Sequence, residues 1–251
     1  MKIKQINSKV IGLIIPLKKT NGFEQMAIDI YLFNKYLSRK DVKIIIRFYE
    51  WDGWWLSIGK NQNLDNPIWQ NLSQKGLINI VRRPSGGNAV LHGGGLTYSF
   101  LWSEPPYKKK EAYNQINNLL INTFSREDLI LRQGCQSNSL NNENCFSSST
   151  QADLVDQDGF KRIGSAQFWK RGQLLQHGEI YPSVPKKLWY EIFGDYPPPS
   201  IEKRLSNAMI ESLFLKELKI KWPQLDLIKE VISEEDNNKI KKEAKNYMVK
   251  F

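Results

Sequence analysis

The spacing of apolar residues divides the first half of the chain into one helix followed by short strands. Between Gly22 and Leu37 the apolar positions recur every three or four residues, which predicts an amphipathic helix. The apolar runs after it are rich in aromatic and β-branched residues and are bounded by turn-forming residues, which predicts strands. The predicted strands are Ile44–Tyr49, Trp54–Ile58, Leu77–Val81, Ala89–His92 and Leu96–Trp102. The turn Glu50–Gly53 predicts a hairpin between the first two of them.

The second half returns to helical spacing, then to strands, then to charged helices. Helical periodicity runs from Glu111 to about Phe124, and a polar Ser/Asn/Gln loop follows at Gln133–Gln151. Two further strands and two charged helices are predicted at Lys161–Phe168, Gln173–Tyr181, Ile201–Ile220 and Glu234–Val249. These elements predict an α+β fold with a mixed β-sheet core flanked by helices. We expect residues 1–196 to form the main domain and 197–251 a short helical tail packed on it.

Composition restricts the class of protein. With 41% hydrophobic residues in 251, the chain can bury a substantial core, and its apolar runs fall short of the roughly 18 residues that span a bilayer. The apolar run near the N-terminus is also too short for a signal peptide. Two cysteines, Cys135 and Cys145, fit a reducing cytoplasm. The net charge of +10 favours acidic partners, but no nucleic-acid-binding motif is present, so we expect neither nucleic acid nor membrane as a partner.

The segment Arg82–Ser99, R-R-P-S-G-G-N-A-V-L-H-G-G-G-L-T-Y-S, carries the strongest chemical signal. A Gly-Gly turn after a strand suits the binding of an anion or a carbonyl group, or simply permits a tight turn. It contains His92, and the only other histidine, His177, lies in L-L-Q-H-G-E. Two histidines without metal-ligand spacing predict no metal site, and no Walker loop is present.

Two further residues are candidates for chemistry. Lys161 begins K-R-I-G-S-A-Q, in which three small residues leave space for a ligand, although a solvated surface lysine is the alternative. Cys145 lies in N-C-F-S-S-S, and an ammonium group nearby would increase its thiolate fraction. The alternative for Cys145 is a small buried cysteine, and Cys135 is its rival as a nucleophile.

Together these segments resemble the biotin/lipoate protein ligase catalytic-domain superfamily in its lipoate A/B branch. The resemblance covers most of residues 22–182. It rests on G-F-E-Q-M-A-I-D, R-F-Y-E-W-D-G-W-W-L-S-I-G-K-N-Q, R-R-P-S-G-G-N-A-V-L-H, K-R-I-G-S-A-Q and L-L-Q-H-G. It implies the mixed-sheet fold shared by class II aminoacyl-tRNA synthetases and biotin ligases. The chain departs from the family at Asn88, where many ligases have a third glycine, and at Gly93, where many members have aspartate.

The resemblance implies attachment of an eight-carbon acyl group to a lysine of a lipoyl domain, by one of two chemistries. Cysteine-dependent octanoyltransferases take octanoate from acyl carrier protein through an acyl-enzyme and need no cofactor, whereas lipoate–protein ligases use ATP and Mg²⁺ to make an acyl-adenylate. One octanoyltransferase type carries its cysteine in a C-F-x-x-x-S/T-like segment before the lysine strand. Cys145-Phe146 matches it, sixteen positions before Lys161, and only a short tail follows Pro199, so the transferase is favoured. A catalytically inactive acyl-binding module is a third possibility.

The predicted site therefore has a reactive part and a binding part. Cys145 and Lys161 are expected to be catalytic, with backbone N–H groups near Gly164–Ala166 stabilising the oxyanion. The residues expected to bind substrate are Arg83, Ser85, Gly86, Gly87, Asn88, Ala89, Val90, His92, Gly164, Ser165, Ala166, Gln167, His177 and Gly178. The expected partners are acyl carrier protein and the lipoyl domains of 2-oxoacid dehydrogenases or the glycine cleavage H protein.

Overall fold

The computed structural model describes residues 10–134, 152–181, 184–201 and 205–249. The helices in these ranges are α1 (Gly22–Tyr36), α2 (Pro67–Gln74), α3 (Lys109–Ser125), α4 (Lys186–Phe193), α5 (Asn207–Lys221) and α6 (Glu234–Glu243), with a 3₁₀ helix at Ala244–Tyr247. The strands are β1 (Val10–Thr20), β2 (Val42–Trp51), β3 (Trp55–Ile58), β4 (Asn79–Arg82), β5 (Val90–His92), β6 (Leu96–Trp102), β7 (Arg132–Gln133), β8 (Leu154–Val155), β9 (Lys161–Lys170), β10 (Gln173–Ile180) and β11 (Leu225–Lys229).

Eight strands form a large mixed sheet in the order β11-β1-β2-β6-β10-β9-β8-β7. The β11, β1 and β2 strands are parallel neighbours, whereas every later pairing in this sheet is antiparallel. A second, smaller sheet has the order β4-β3-β5. The predicted α+β class, a mixed sheet flanked by helices, is confirmed.

The two faces of the large sheet pack against different helices. One face carries Ile44, Phe100 and Leu174, which pack with residues of α3 and α5. The other face carries Ile45, Leu101 and Leu175, which pack with α1 and with residues of α6. This alternation follows from the two-residue period of a strand, and it makes both faces apolar.

The α1 helix forms where the periodicity predicts it. The Asn21 side chain accepts a hydrogen bond from the Glu24 N–H (3.0 Å) and so caps the first turn. Two polar residues, Gln25 and Asp29, lie one helical turn apart and are fully buried on the inner side of the helix. Their burial places one amide and one ionisable carboxyl group in the interior of the molecule.

The predicted hairpin at Glu50–Gly53 is wrong. The β2 strand belongs to the large sheet, and β3 belongs to the small one. Both edges of β2 are already occupied, by β1 on one side and β6 on the other, so β3 has no edge to join. The turn therefore carries the chain from one sheet to the other.

The last segment packs against the first part of the chain. The β11 strand pairs in parallel with β1, and Lys35 of α1 lies 2.5 Å from Asp236 of α6. The helix predicted at Ile201–Ile220 begins only at Asn207, because Ser206 caps it by accepting from the Met209 N–H. The division into 1–196 and a tail stays a prediction. Within the described ranges, no helix has the length and apolarity to cross a membrane.

Candidate active site

Two adjoining pockets contain most of the residues predicted for the site. The first, called the central cavity here, lies between the large sheet, the small sheet and α1 and encloses about 450 Å³, counting its mouth. The central cavity is lined by Met26, Tyr49, Trp51, Ser57, Arg83, Gly87, Val90, His92, Thr97, Gly164, Ser165, Ala166, His177 and Gly178.

The second pocket, called the lysine pocket here, is a more open space beside the start of β9. Its lining residues are Gly86, Gly87, Asn88, Tyr113, Ala152, Asp153, Lys161, Ser165, Ala166 and Gln167. Gly87, Ser165 and Ala166 line both pockets. The central cavity and the lysine pocket therefore adjoin at these three residues.

Lys161 is buried in an ion pair, so a solvated surface lysine is excluded. Its ammonium nitrogen lies 3.0 Å from Asp153 Oδ1, and the two side chains are only 2% and 5% exposed. The short β8–β9 hairpin creates the pair, because Val155 is in register with Lys161 and Asp153 immediately precedes β8. A buried ammonium paired with a carboxylate is a fixed positive charge at the wall of the lysine pocket.

The first of two buried histidine arrays is built on His92. Its Nδ1 donates to Glu179 Oε2 (2.7 Å), and its Nε2 accepts from Ser57 Oγ (2.8 Å). Trp51 stacks on the imidazole with centroids 4.1 Å apart. Burial lowers the pKa of His92 below its ordinary value, against the opposing effect of Glu179, and so favours the neutral ring.

The second array is built on His177, which faces the same cavity from β10. Its Nδ1 lies 3.3 Å from Asp29 Oδ2, and its Nε2 lies 2.5 Å from Ser85 Oγ. Arg47 donates to Asp29 Oδ1 (2.7 Å). Burial would raise the pKa of Asp29, but Arg47 and His177 outweigh it and hold that pKa below its usual value. An ionised Asp29 therefore orients the imidazole.

The Arg83 side chain holds the glycine-rich loop in place through hydrogen bonds. Arg83 Nη2 donates to Gly86 O (2.8 Å) and Asn88 O (2.7 Å). Its Nη1 donates to Ser57 O (2.8 Å), which fastens the loop to β3. Gly87, at the turn of the loop, has φ = +91°, a conformation that favours glycine.

Most of the predicted site residues line one of the two pockets, and a few lie behind the residues that do. Lys161 and most of the predicted binding residues line one or both pockets. Ser85 lies behind His177, and Ala89 packs in the core of the small sheet, so neither lines the two pockets. The Ser165 N–H, one of the expected oxyanion donors, lies 3.4 Å from Asp153 Oδ1. Cys145 and Cys135 fall outside the described residues.

Four charged residues that build the site were not among the predicted ones. Asp153 pairs with Lys161, Glu179 and Asp29 hold the two histidines, and Arg47 holds Asp29. Glu179 could have been found, since it lies two positions after His177 and therefore faces the same side of β10. Asp29 could also have been found as a polar residue on the apolar side of a predicted helix. Asp153 has no local signal.

Two octanoyltransferases are similar in sequence to most of this chain. Octanoyltransferase LipM of Bacillus subtilis is 32% identical over 210 residues, which are 78% of this chain and 75% of the relative. Octanoyltransferase LipM of Macrococcus caseolyticus is 32% identical over 220 residues, 83% of this chain and 77% of the relative.

Solved structures show the same fold. The structure of lipoate-protein ligase A bound with ATP has a TM-score of 0.76 at 18% identity, covering 94% of each chain. The bipartite lipoate protein ligase of Thermoplasma acidophilum, studied with its E2 lipoyl domain, has a TM-score of 0.70 at 18% identity and covers 94% of this chain and 92% of that one.

The lipoyl protein ligase A/B catalytic domain model matches residues 21–212. This range contains α1, both sheets except β1 and β11, and the residues of both pockets. The match confirms the lipoate A/B resemblance, and the named relatives confirm an acyltransferase enzyme. The chain therefore belongs to the lipoyl protein ligase A/B catalytic domain family, among the acyltransferases of protein lipoylation.

Proposed function

We propose that this chain transfers an octanoyl group from octanoyl-acyl carrier protein to a lipoyl-domain lysine, through a thioester on Cys145. The observation that carries the proposal is the junction of the two pockets. An acyl chain lying in the central cavity would extend its carbonyl group past Gly87 and Ala166 toward Lys161. The octanoyltransferases among the relatives support this choice of acyl group.

The dimensions of the central cavity suit an eight-carbon chain. Its floor crosses four neighbouring strands, from Ala166 on β9 through His177 on β10 and Thr97 on β6 to Tyr49 on β2. Three steps of about 4.8 Å give a floor of roughly 14 Å. An extended octanoyl chain built from C–C bonds of about 1.5 Å is about 9 Å long, so it is shorter than this floor.

Lys161 supplies the charge that the nucleophile needs. A buried ammonium stabilises a neighbouring thiolate and thereby increases its population at neutral pH. Cys145 precedes Lys161 by sixteen positions, and we assign it as the nucleophile on its sequence context. Asp153 keeps the ammonium at the wall of the lysine pocket.

The reaction proceeds in two balanced steps. In the first, the Cys145 thiolate adds to the thioester carbon of the donor, the bond to the carrier sulfur breaks, and that thiolate leaves and takes up a proton. In the second, the neutral amine of the acceptor lysine adds to the acyl-enzyme, the bond to Cys145 breaks, and the amine proton is released as the amide forms. The energy of the donor thioester drives the transfer, so neither ATP nor a metal ion is required.

The partners are two proteins. The acceptor is a lipoyl domain, of a 2-oxoacid dehydrogenase or of the glycine cleavage H protein, and the donor is acyl carrier protein. The net charge of +10 favours encounter with acidic proteins. Because Cys145 must remain a free thiol, the reaction requires a reducing compartment, and we propose the cytoplasm.

The test is intact-mass analysis after mixing the protein with octanoyl-acyl carrier protein without ATP. We expect one octanoyl adduct that hydroxylamine removes, as it removes a thioester, and that passes to a lipoyl domain added later. Cys145→Ser should abolish the hydroxylamine-sensitive adduct, whereas the matched Cys135→Ser should retain it. Loading of free octanoate or lipoate only when ATP and Mg²⁺ are present would replace the proposal with a ligase. Binding of octanoate without any transfer would replace it with an inactive acyl-binding module.

A further inference from the structure

The guanidinium of Arg83 joins the glycine-rich loop to β3. The residue is 5% exposed, and one nitrogen, Nη2, donates to both Gly86 O (2.8 Å) and Asn88 O (2.7 Å). The other, Nη1, donates to Ser57 O (2.8 Å) and Ser57 Oγ (3.2 Å). One rigid side chain thus fixes the orientation of two loop peptides relative to β3.

The orientation of one peptide determines where the Gly87 N–H points. In a planar trans peptide the carbonyl and the following N–H point in opposite directions. Since Gly86 O points at Arg83, the Gly87 N–H points away from Arg83. The lysine pocket is lined by Gly86, Gly87 and Asn88 but not by Arg83, so it lies on that far side of the loop.

The amides of β9 are already committed to other acceptors. The Ser165 N–H points away from β10, at Asp153 Oδ1 (3.4 Å). Because N–H directions alternate along an antiparallel strand, the Gly164 and Ala166 N–H groups point at β10, with which they are in register. The Gly87 N–H, by contrast, has no acceptor among the residues that the structure describes.

We infer that Arg83 is a positioning residue that aims the Gly87 N–H at the carbonyl oxygen of the acyl group. When a nucleophile adds to that carbonyl, negative charge forms on the oxygen and returns to the carbon–oxygen double bond as the thiolate leaves. The Gly87 N–H donates to the oxygen while the charge is present, and the buried guanidinium behind it adds a positive field. The inference rests on the proposed octanoyl transfer and assigns the oxyanion donor of that reaction.

The first test removes the N–H without removing the residue. An amide-to-ester exchange at Gly87 replaces the N–H with an oxygen atom, and the same exchange at Gly53, which also has positive φ but lies in an exposed turn, is the control. We expect the single-turnover rate of acylation to fall about 10²–10³-fold at Gly87, with the half-saturating donor concentration unchanged. The Gly53 ester should acylate at the wild-type rate.

The second test changes Arg83, the side chain that holds the loop. Arg83→Lys keeps the charge but loses the planar guanidinium that donates to both Gly86 O and Asn88 O. We therefore expect kcat to fall at least ten-fold while KM stays within two-fold. Arg82→Lys is the matched control, because Arg82 Nη1 holds Gly59 O, Lys60 O and Gln62 O instead. It should keep the wild-type kcat. Circular dichroism and thermal unfolding establish that each variant is folded.

The outcomes separate the inference from the function on which it rests. If the wild-type protein forms no octanoyl thioester without ATP, the proposed function fails and the inference is overturned with it. If the wild-type protein acylates and the Gly87 ester acylates equally fast, the function stands and the inference is overturned. A rise in KM alone for Arg83→Lys also overturns it, because a displaced oxyanion donor lowers kcat.

Discussion

The contribution of the buried Lys161–Asp153 ion pair to stability can be measured separately from the contribution of Lys161 to catalysis. Lys161→Met leaves the carboxylate of Asp153 in a site where the two side chains are 2% and 5% exposed. Removing one member of a buried ion pair costs about 3–5 kcal/mol, because the remaining charge has lost its partner ion and is largely removed from water. For a chain of this size, such a loss corresponds to a fall in Tm of about 6–20 °C.

A second substitution should restore the stability but not the activity. Asp153→Asn in the Lys161→Met background removes the buried charge, and the amide oxygen can still accept from the Ser165 N–H. We expect the double variant to unfold within about 1–2 kcal/mol of the wild-type protein, since a neutral buried amide costs far less than a carboxylate. Octanoyl transfer should remain lost, because the ammonium is missing in both variants.

Two measurements check this cycle. Urea unfolding followed by tryptophan fluorescence gives the free energies, and single-turnover acylation gives the activity. Lys170→Met is the control, since Lys170 lies on the same strand, is exposed, and should change the free energy by no more than about 0.5 kcal/mol. A cost below about 1 kcal/mol for Lys161→Met would show that the carboxylate does not depend on the ammonium. Wild-type acylation by the double variant would remove Lys161 from the mechanism.

Three further predictions follow from single residues. Because the pKa of His92 is lowered in the folded protein, the unfolded state binds more protons than the folded state below about pH 6.5. The free energy of unfolding should therefore fall as the pH drops through that value. In urea unfolding measured at a series of pH values, His92→Gln should lack this fall. Tyr181 has a buried hydroxyl with no hydrogen-bond partner in the described ranges, so Tyr181→Phe should raise the free energy of unfolding by up to about 1 kcal/mol in the same assay; a loss of stability would contradict it. Ala166→Leu should fill the space where the two pockets adjoin and abolish the octanoyl adduct in intact-mass analysis, while tryptophan fluorescence shows an intact fold. Full acylation by this variant would place the acyl route elsewhere.

Local patterns predicted the elements that depend on local interactions. The α1 helix and the β9 and β10 strands follow from the spacing of apolar residues, and all three form where they were predicted. The division of the strands between two sheets did not follow, because strand pairing is decided by contacts distant in sequence. Glu50–Gly53 has the composition of a hairpin turn, yet the competition of β1 and β6 for the edges of β2 makes it a crossing between sheets.

For the candidate site too, the sequence predicted local features but not contacts between residues distant in sequence. Glycine-rich and small-residue segments indicated where a ligand could approach the backbone, and Gly87, Ser165 and Ala166 do line both pockets. The partners of the charged groups could not be predicted in the same way. Asp153 meets Lys161 through a two-residue strand, and Arg47 meets Asp29 across the interface of sheet and helix. Sequence spacing does not encode such contacts.

The two histidine arrays make a cavity with so many ionisable neighbours compatible with the proposed binding of a hydrocarbon chain. Glu179 Oε2 and Asp29 Oδ2 each accept from an imidazole, and Arg47 donates to Asp29 Oδ1, so each of these three side chains is hydrogen-bonded behind the imidazoles that line the cavity. Trp51 covers the face of His92 and presents an apolar surface instead. An acyl chain entering the cavity would therefore displace water without breaking these hydrogen bonds, which favours its binding. The charged Lys161 lines the adjoining lysine pocket, where the reacting carbonyl rather than the chain would meet it.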